Sequence, residues 1–212
     1  MRYDVIIFDL DGTILDTLGD LLQSCNYVLE KYNLEKIVLE DVRKNIGWGI
    51  RHLIYEVSNH SKYTDQMFED YKEYYSIHYN DFTKPYKGIN EVIDYCIGKG
   101  IKIGVYTNKV EDIALSLCEE HFMNKFIFVY GQMENRVRKP DPSFLLNVIE
   151  EYGFDKSKVL YVGDSEVDVQ TAKNASIDGL FLSYGYRPKE ELLKYTDRVI
   201  DSASEIIDYI RG

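Results

Sequence analysis

Two rhythms of apolar and polar positions run along this chain. Near its start, Val5-Ile6-Ile7-Phe8 is a continuous apolar run that stops at Asp9-Leu10-Asp11-Gly12-Thr13. A short run bounded by a turn reads as a buried strand. Beyond it, Leu18, Leu21, Leu22, Cys25, Val28, Leu29 and Tyr32 recur every three to four residues, the stripe of an amphipathic helix. The stretch from about Thr17 to Lys84 continues helical and holds no convincing strand. Helix breaks are expected near Asn33 and at Gly47-Trp48-Gly49, and a long helix over roughly 64–81. Within that helix Tyr71, Tyr74, Tyr75 and Tyr79 fall at helical spacing with Phe68 and Phe82, which predicts an aromatic face packed on its neighbours.

Pro85-Tyr86-Lys87-Gly88 is a break, and the pattern changes after it. Ile89, Val92, Ile93, Cys96 and Ile97 form a helix stripe ended by Gly98 and Gly100. Ile101 to Tyr106 reads as a strand. Helix about 110–121, strand 126–130, helix 142–152, strand 158–162, helix 166–175 and strand 178–182 follow in alternation. Asp141 before Pro142 predicts a capped helix start with proline at its first position. Ser202 with Glu205 predicts a capping box for the last helix. Alternating strands and helices imply a mostly parallel sheet covered on both faces. The expected fold class is therefore α/β: a Rossmann-like sheet core, residues 1–16 and 85–212, carrying an inserted all-helical cap domain, residues 17–84.

Ligands of such sheets collect at the carboxyl ends of the strands. Asp9 and Asp11 stand at one such end. There, one aspartate can serve as a nucleophile and the other as a general acid/base, with a divalent cation shared nearby. Asp-x-Asp-Gly also opens calcium loops, but Gly12 comes too early for one, and Ile14-Leu15 follow where ligands should be. A second core strand ends in Thr107-Asn108-Lys109. Another ends in Gly163-Asp164-Ser165, with Asp168 four residues beyond Asp164, and Lys139-Pro140 lies on the connection after the third core strand. Several polar endings on one edge of one sheet make chance a poor account.

Composition narrows the ligand. The 212 residues are 45% hydrophobic and 29% charged, ordinary globular material, with a net charge of −11. No Lys/Arg cluster offsets that charge, which argues against nucleic acid. An anionic substrate would have to find positive charge in a metal, a lysine or backbone amides. No apolar run reaches the ~18 residues of a membrane span. Asp4, Asp9 and Asp11 interrupt the first apolar stretch, so no signal peptide is expected and a cytoplasmic location is. Cys25, Cys96 and Cys118 are far apart and odd in number, as expected of reduced, buried thiols. His52, His60, His78 and His121 have no motif context and are expected to be structural or surface residues.

Asp9-Leu10-Asp11-Gly12-Thr13, Thr107-Asn108, Lys139-Pro140 and Gly163-Asp164-Ser165-Glu166-Val167-Asp168 match, in order, the four motifs of the haloacid dehalogenase-like phosphatases. The resemblance spans nearly the whole chain. Gly47-Trp48-Gly49, Pro85-Tyr86-Lys87-Gly88, Lys139-Pro140-Asp141-Pro142 and Tyr184-Gly185-Tyr186-Arg187 resemble the phosphoglycolate phosphatase branch, from which Lys87, Val110 and Ser176 depart in loops. The resemblance implies a Mg²⁺-dependent phosphatase that hydrolyses a small phosphate monoester through a phospho-Asp9 intermediate. It implies Asp9 as nucleophile, Asp11 as acid/base and Lys139 as charge neutraliser. Asp9, Asp164 and the Asp11 backbone carbonyl would hold the cation, with Asp168 holding a cation-bound water or orienting Lys139. Thr107 and Asn108 would bind the phosphoryl group. Gly47, through its backbone amide, and Arg51 are the candidates for a charged substrate tail. A phosphosugar mutase, a pyrophosphatase and a nucleotidase are alternatives on the same scaffold. A dehalogenase would need neither Asp11 nor Asp164, and a non-catalytic module would be expected to lose a motif. The expected partner is a small phosphorylated metabolite, with the chain acting as a monomer or homodimer.

Overall fold

The computed structural model describes residues 2–212. The chain divides into two compact units: residues up to Leu15 together with Pro85–Gly212, and Asp16–Lys84. The first is built on β1 (Val5–Phe8), β4 (Lys102–Val110), β5 (Val129–Gln132), β6 (Val159–Gly163), β7 (Asp178–Leu182) and β8 (Val199–Ile200). They form a parallel six-stranded sheet in the order β5-β4-β1-β6-β7-β8. Helices α5 (Ile89–Gly98), α6 (Glu111–Phe122), α7 (Ser143–Glu151), α8 (Glu166–Ala175), α9 (Lys189–Leu192) and α10 (Ser204–Arg211) connect and follow the strands. The expected α/β class is the observed one.

All four residues of β1 are buried, as the centre of a sheet covered on both sides demands. Val5 and Ile7 pack in one core with Val159 and Tyr161 of β6, Leu145 and Val148 of α7, and Val169 of α8. Each such side chain contributes about 1.5–3 kcal/mol on burial. That central position fixes where β1 ends: the Asp9 amide donates to Val162 O at 2.8 Å, so Asp9 leaves the sheet level with the end of β6.

The second unit holds α1 (Leu18–Lys31), α2 (Leu39–Asn45), α3 (Ile50–Val57) and α4 (Asp65–His78). The segments at the boundaries of this unit, β2 (Leu15–Asp16) and β3 (Lys84–Pro85), pair as a short ribbon. The α1 stripe packs against α4 and α2 against α3. Tyr71 and Tyr75 are buried, and Tyr74 stacks on Tyr27 with ring centroids 4.0 Å apart. The aromatic face thus packs within the unit. Tyr79, however, is the C-cap of α4, and Phe82 lies beyond it and is exposed. Breaks fall where expected: Asn33, Gly47 and Gly49 have φ of 55°, 108° and 93°.

Several local expectations are corrected. Pro142 is the N-cap of α7, not its first residue, because Asp141 Oδ1 accepts from Ser143 N at 2.9 Å and sets the start one residue later. Ser202 and Glu205 do not form a reciprocal box. The Ser202 hydroxyl donates to Glu205 Oε1 at 2.7 Å, and α10 starts at Ser204. The strand expected at 126–130 is β5, shifted to Val129–Gln132, and β4 runs on to Val110 through an irregularity after Tyr106. The short elements β8 and α9 had not been expected. Among the described residues no helix is long and apolar enough to cross a membrane.

Candidate active site

The ends of β1 and β6 bring Asp9, Asp164 and Asp168 together, all buried, with one carboxylate oxygen of each within 4.8 Å of the others. One ammonium serves this group. Lys139 Nζ lies 2.9 Å from Asp9 Oδ1 and 2.7 Å from Asp168 Oδ1, and donates to Tyr161 OH at 3.0 Å. Lys139 precedes Pro140 through a cis peptide bond. Its backbone is clasped by Asn108, whose Oδ1 accepts from Lys139 N at 2.9 Å and whose Nδ2 donates to Lys139 O at 3.2 Å.

The three carboxylates are not equivalent. Asp168 is saturated: Oδ1 accepts from Lys139 and from Tyr161 OH at 3.0 Å, and Oδ2 accepts from Ser165 Oγ at 2.6 Å, Ser165 N at 3.1 Å and Asp164 N at 3.2 Å. Burial opposes its ionisation, but Lys139 and the hydroxyls of Ser165 and Tyr161 outweigh that and hold its carboxyl below the usual range. This favours the second of the two expected tasks, orienting Lys139. Asp164 has a single donor on each oxygen: Thr13 Oγ1 on Oδ1 at 2.9 Å and Tyr186 N on Oδ2 at 2.7 Å. Burial, then the charges of Asp168 and Asp9, push its carboxyl well above the usual range. Burial also pushes Asp9 up to about 6 against the pull of Lys139. Asp9 Oδ1 is buried and, although Lys139 is near, has no hydrogen bond of proper geometry. Burial works against the Lys139 ammonium too, yet Asp168 and Asp9 keep it charged beyond its ordinary range.

Asp11 sits apart from this cluster on Lys109. Nζ of that buried lysine donates to Asp11 Oδ1 at 2.9 Å. No motif in the sequence gives Lys109 a role. The signal was its place two residues after Thr107 at the end of β4, where strand alternation turns both toward the same side. Thr107 is buried, and its Oγ1 accepts from Lys109 N at 3.3 Å. Asn108, expected to donate to a phosphoryl group, is engaged at both ends of its amide by Lys139.

Three buried carboxyl groups share one ammonium, and an oxygen of Asp9 lacks a hydrogen bond. Hard oxygen donors in that arrangement suit a divalent cation such as Mg²⁺. Gly47 and Arg51 belong to the helical unit. The Arg51 guanidinium bonds Asp65 and the Tyr63 hydroxyl and lies 4.2 Å over the Phe68 ring. Its charge is already answered there.

A family model of haloacid dehalogenase-like hydrolases matches residues 6–181. Phosphoglycolate phosphatase of Agrobacterium fabrum is 31% identical over 202 residues, 92% of this chain and 87% of that protein. The enzyme of the same name from Mesorhizobium japonicum is 32% identical over 197 residues, 88% of this chain and 85% of its own. Among solved structures, a protein assigned as a phosphoglycolate phosphatase from Lactobacillus delbrueckii subsp. bulgaricus superposes with a TM-score of 0.93 at 28% identity, covering 99% of both chains.

Proposed function

The chain belongs to the haloacid dehalogenase-like hydrolases, and from that premise we propose that it is a Mg²⁺-dependent phosphatase of small phosphate monoesters with Asp9 as its nucleophile. The observation that carries this reading is the shared ammonium: Lys139 stands between Asp9 and Asp168 while Asp164 is left with two neutral donors.

Asp9 attacks phosphorus through a carboxylate oxygen, forming an O–P bond as the ester P–O bond breaks. Asp11 must enter this step protonated, and it gives that proton to the departing alkoxide. The Lys109 ammonium beside it stabilises the carboxylate that remains. Water then attacks the phosphorus of the aspartyl-phosphate, Asp11 takes a proton of that water, and the Asp9 O–P bond breaks, which regenerates the Asp9 carboxylate and releases inorganic phosphate. Asp9, Asp164 and the Asp11 backbone carbonyl would hold the cation. When bound it offsets the repulsion between carboxylate and phosphate and stabilises the charge of the transferring group. Lys139, held by Asp168 and Asn108, supplies a fixed positive charge to nucleophile and phosphoryl oxygens. The Thr107 hydroxyl donates to a phosphoryl oxygen.

These residues recognise only phosphoryl and cation, so the remainder of the substrate is read elsewhere. The names of the relatives point to phosphoglycolate, whose second negative charge would meet the backbone amides at Gly47 and Gly49 and the side chain of Arg51. The test is hydrolysis of p-nitrophenyl phosphate with Mg²⁺, with excess EDTA, and by Asp9→Asn. Activity is expected only in the first. Unchanged turnover in EDTA would end the cation role, and normal turnover by Asp9→Asn the nucleophile role. A panel of phosphorylated metabolites then ranks substrates, with phosphoglycolate expected first by kcat/KM. Stoichiometric glucose 6-phosphate from β-glucose 1-phosphate, with little free phosphate, would mark a mutase instead.

A further inference from the structure

Tyr184-Gly185-Tyr186-Arg187 follows β7 and has no part in the chemistry above, yet it touches Asp164 directly once and is tied to two of its neighbours, Thr13 and Glu166. The Tyr186 amide donates to Asp164 Oδ2 at 2.7 Å. The Tyr184 hydroxyl donates to Thr13 O at 3.1 Å, and the Thr13 hydroxyl holds the other oxygen of the same carboxylate at 2.9 Å. Arg187 is buried and forms a two-pronged pair with Glu166, Nε to Oε2 at 2.8 Å and a terminal nitrogen to Oε1 at 3.2 Å. Glu166 begins α8, two residues beyond Asp164. The loop is thus pinned to the segment that carries the carboxylate it touches.

The contact is also close. A Cβ at Gly185 would lie 2.6 Å from Asp164 Oδ2, and one at Gly12 would lie 2.7 Å from Asp164 Cγ. Two glycines, one on each chain segment, let backbone close around this side chain and leave it little room to tilt. Each Asp164 oxygen receives one donor from these two segments, and a carboxylate oxygen has two lone pairs. One acceptor position per oxygen is left, on a side chain held in place before any ligand arrives.

We propose that the Tyr184–Arg187 loop is a positioning element for Asp164, and that it sets the affinity of the acidic cluster for a divalent cation. This rests on the cation-dependent reading above. A ligand carboxylate already fixed need not be ordered on binding, and hydrogen-bond partners of metal ligands are typically worth about 10–100-fold in metal affinity.

The experiment measures Mn²⁺ binding to the full-length protein by electron paramagnetic resonance, beside the Mg²⁺ dependence of p-nitrophenyl phosphate hydrolysis. The variants are Gly185→Ala, Arg187→Gln, Arg187→Lys and, as a surface control, Arg198→Gln. Arg198 pairs with Asp178 at the opposite end of β7, with its side chain 43% exposed. Gly185→Ala and Arg187→Gln are expected to raise the Mn²⁺ dissociation constant about tenfold or more. Arg187→Lys should recover part of the loss, and Arg198→Gln should change nothing. The Mg²⁺ concentration for half-maximal rate should rise in step, with kcat largely recovered at saturation, which general damage to the fold would not permit. If Gly185→Ala does not fold, Arg187→Gln carries the test. Wild-type affinity in the loop variants would overturn the proposal and leave the phosphatase reading intact. A wild-type protein that hydrolyses the ester but binds no Mn²⁺ would overturn the cation-dependent reading itself.

Discussion

Lys109 Nζ and Asp11 Oδ1 are 2.9 Å apart, and the lysine side chain is 2% exposed against 15% for the aspartate. The ammonium is shut off from water, whereas the carboxylate reaches some. Lys109→Met is therefore expected to cost about 2 kcal/mol, below the ~3–5 kcal/mol of a fully enclosed pair, because Asp11 can be hydrated. Thermal melting checks this. Alkyl phosphates, whose leaving groups need a proton, should be slowed more than p-nitrophenyl phosphate, whose leaving group does not. Equal slowing of both would assign Lys109 a purely structural part.

Lys139 answers two buried carboxylates at once. Lys139→Met leaves Asp9 and Asp168 without their shared counter-charge, at an expected cost of about 3–5 kcal/mol. For a chain of this size that lowers the melting temperature by about 10 °C. Turnover of every phosphate ester should be lost together. Selective loss for one ester would contradict a cation that serves the common phosphoryl group.

The pH dependence of stability should carry the mark of Asp9. Its carboxyl rises from 3.8 unfolded to about 6 folded, through burial with contributions from Asp168 and Asp11 and against Lys139. A raised carboxyl binds its proton more tightly in the folded state, so it favours the fold at low pH. That contribution is lost as pH climbs from about 4 to about 6. Asp164 shifts in the same direction. In metal-free buffer, stability should therefore decline across this window more steeply in the wild type than in Asp9→Asn. Mg²⁺ should stabilise the wild type increasingly as pH rises through about 6, where Asp9 ionises. Parallel pH curves for wild type and Asp9→Asn would remove Asp9 from the account.

Arg51 and Asp65 give a prediction of opposite signs. The pair is exposed, so Arg51→Ala should cost less than about 1 kcal/mol of stability. If Arg51 meets a charged substrate tail, Asp65→Asn should release its guanidinium and lower KM for phosphoglycolate, while Arg51→Ala raises it. An uncharged ester should respond to neither. Identical behaviour of both esters would leave Arg51 a surface residue.

Much of this arrangement is legible in the sequence because polar residues at strand ends interrupt otherwise apolar runs. The apolar runs that end at Asp9 and Asp164, and the connection that carries Lys139, place these residues on one sheet edge from the sequence pattern alone. What escaped depends on pairings between distant segments. Nothing local shows that Asn108 holds the backbone of Lys139, or that Lys109 and Asp11 meet across 98 positions. The Ser202–Glu205 pattern fails locally instead: Asp201 N and the Ser202 hydroxyl both use the carboxylate that a reciprocal box would need. Elements as short as β8 and α9 hold too few residues for a period to appear.

The strand order has a consequence for how the chain is made. Val5 pairs with Lys102 on one side and with Val159 on the other. During synthesis β1 emerges before both of its neighbours, apolar and with both backbone edges unpaired, and neither neighbour exists until the whole helical unit has been translated. Parallel pairing over such separations is slow and leaves hydrophobic segments open to aggregation meanwhile. The strand that leads into Asp9 is made before both of its partners and is enclosed only once they follow, so a chaperone that shields this apolar segment in the interval would protect the placement of this carboxylate.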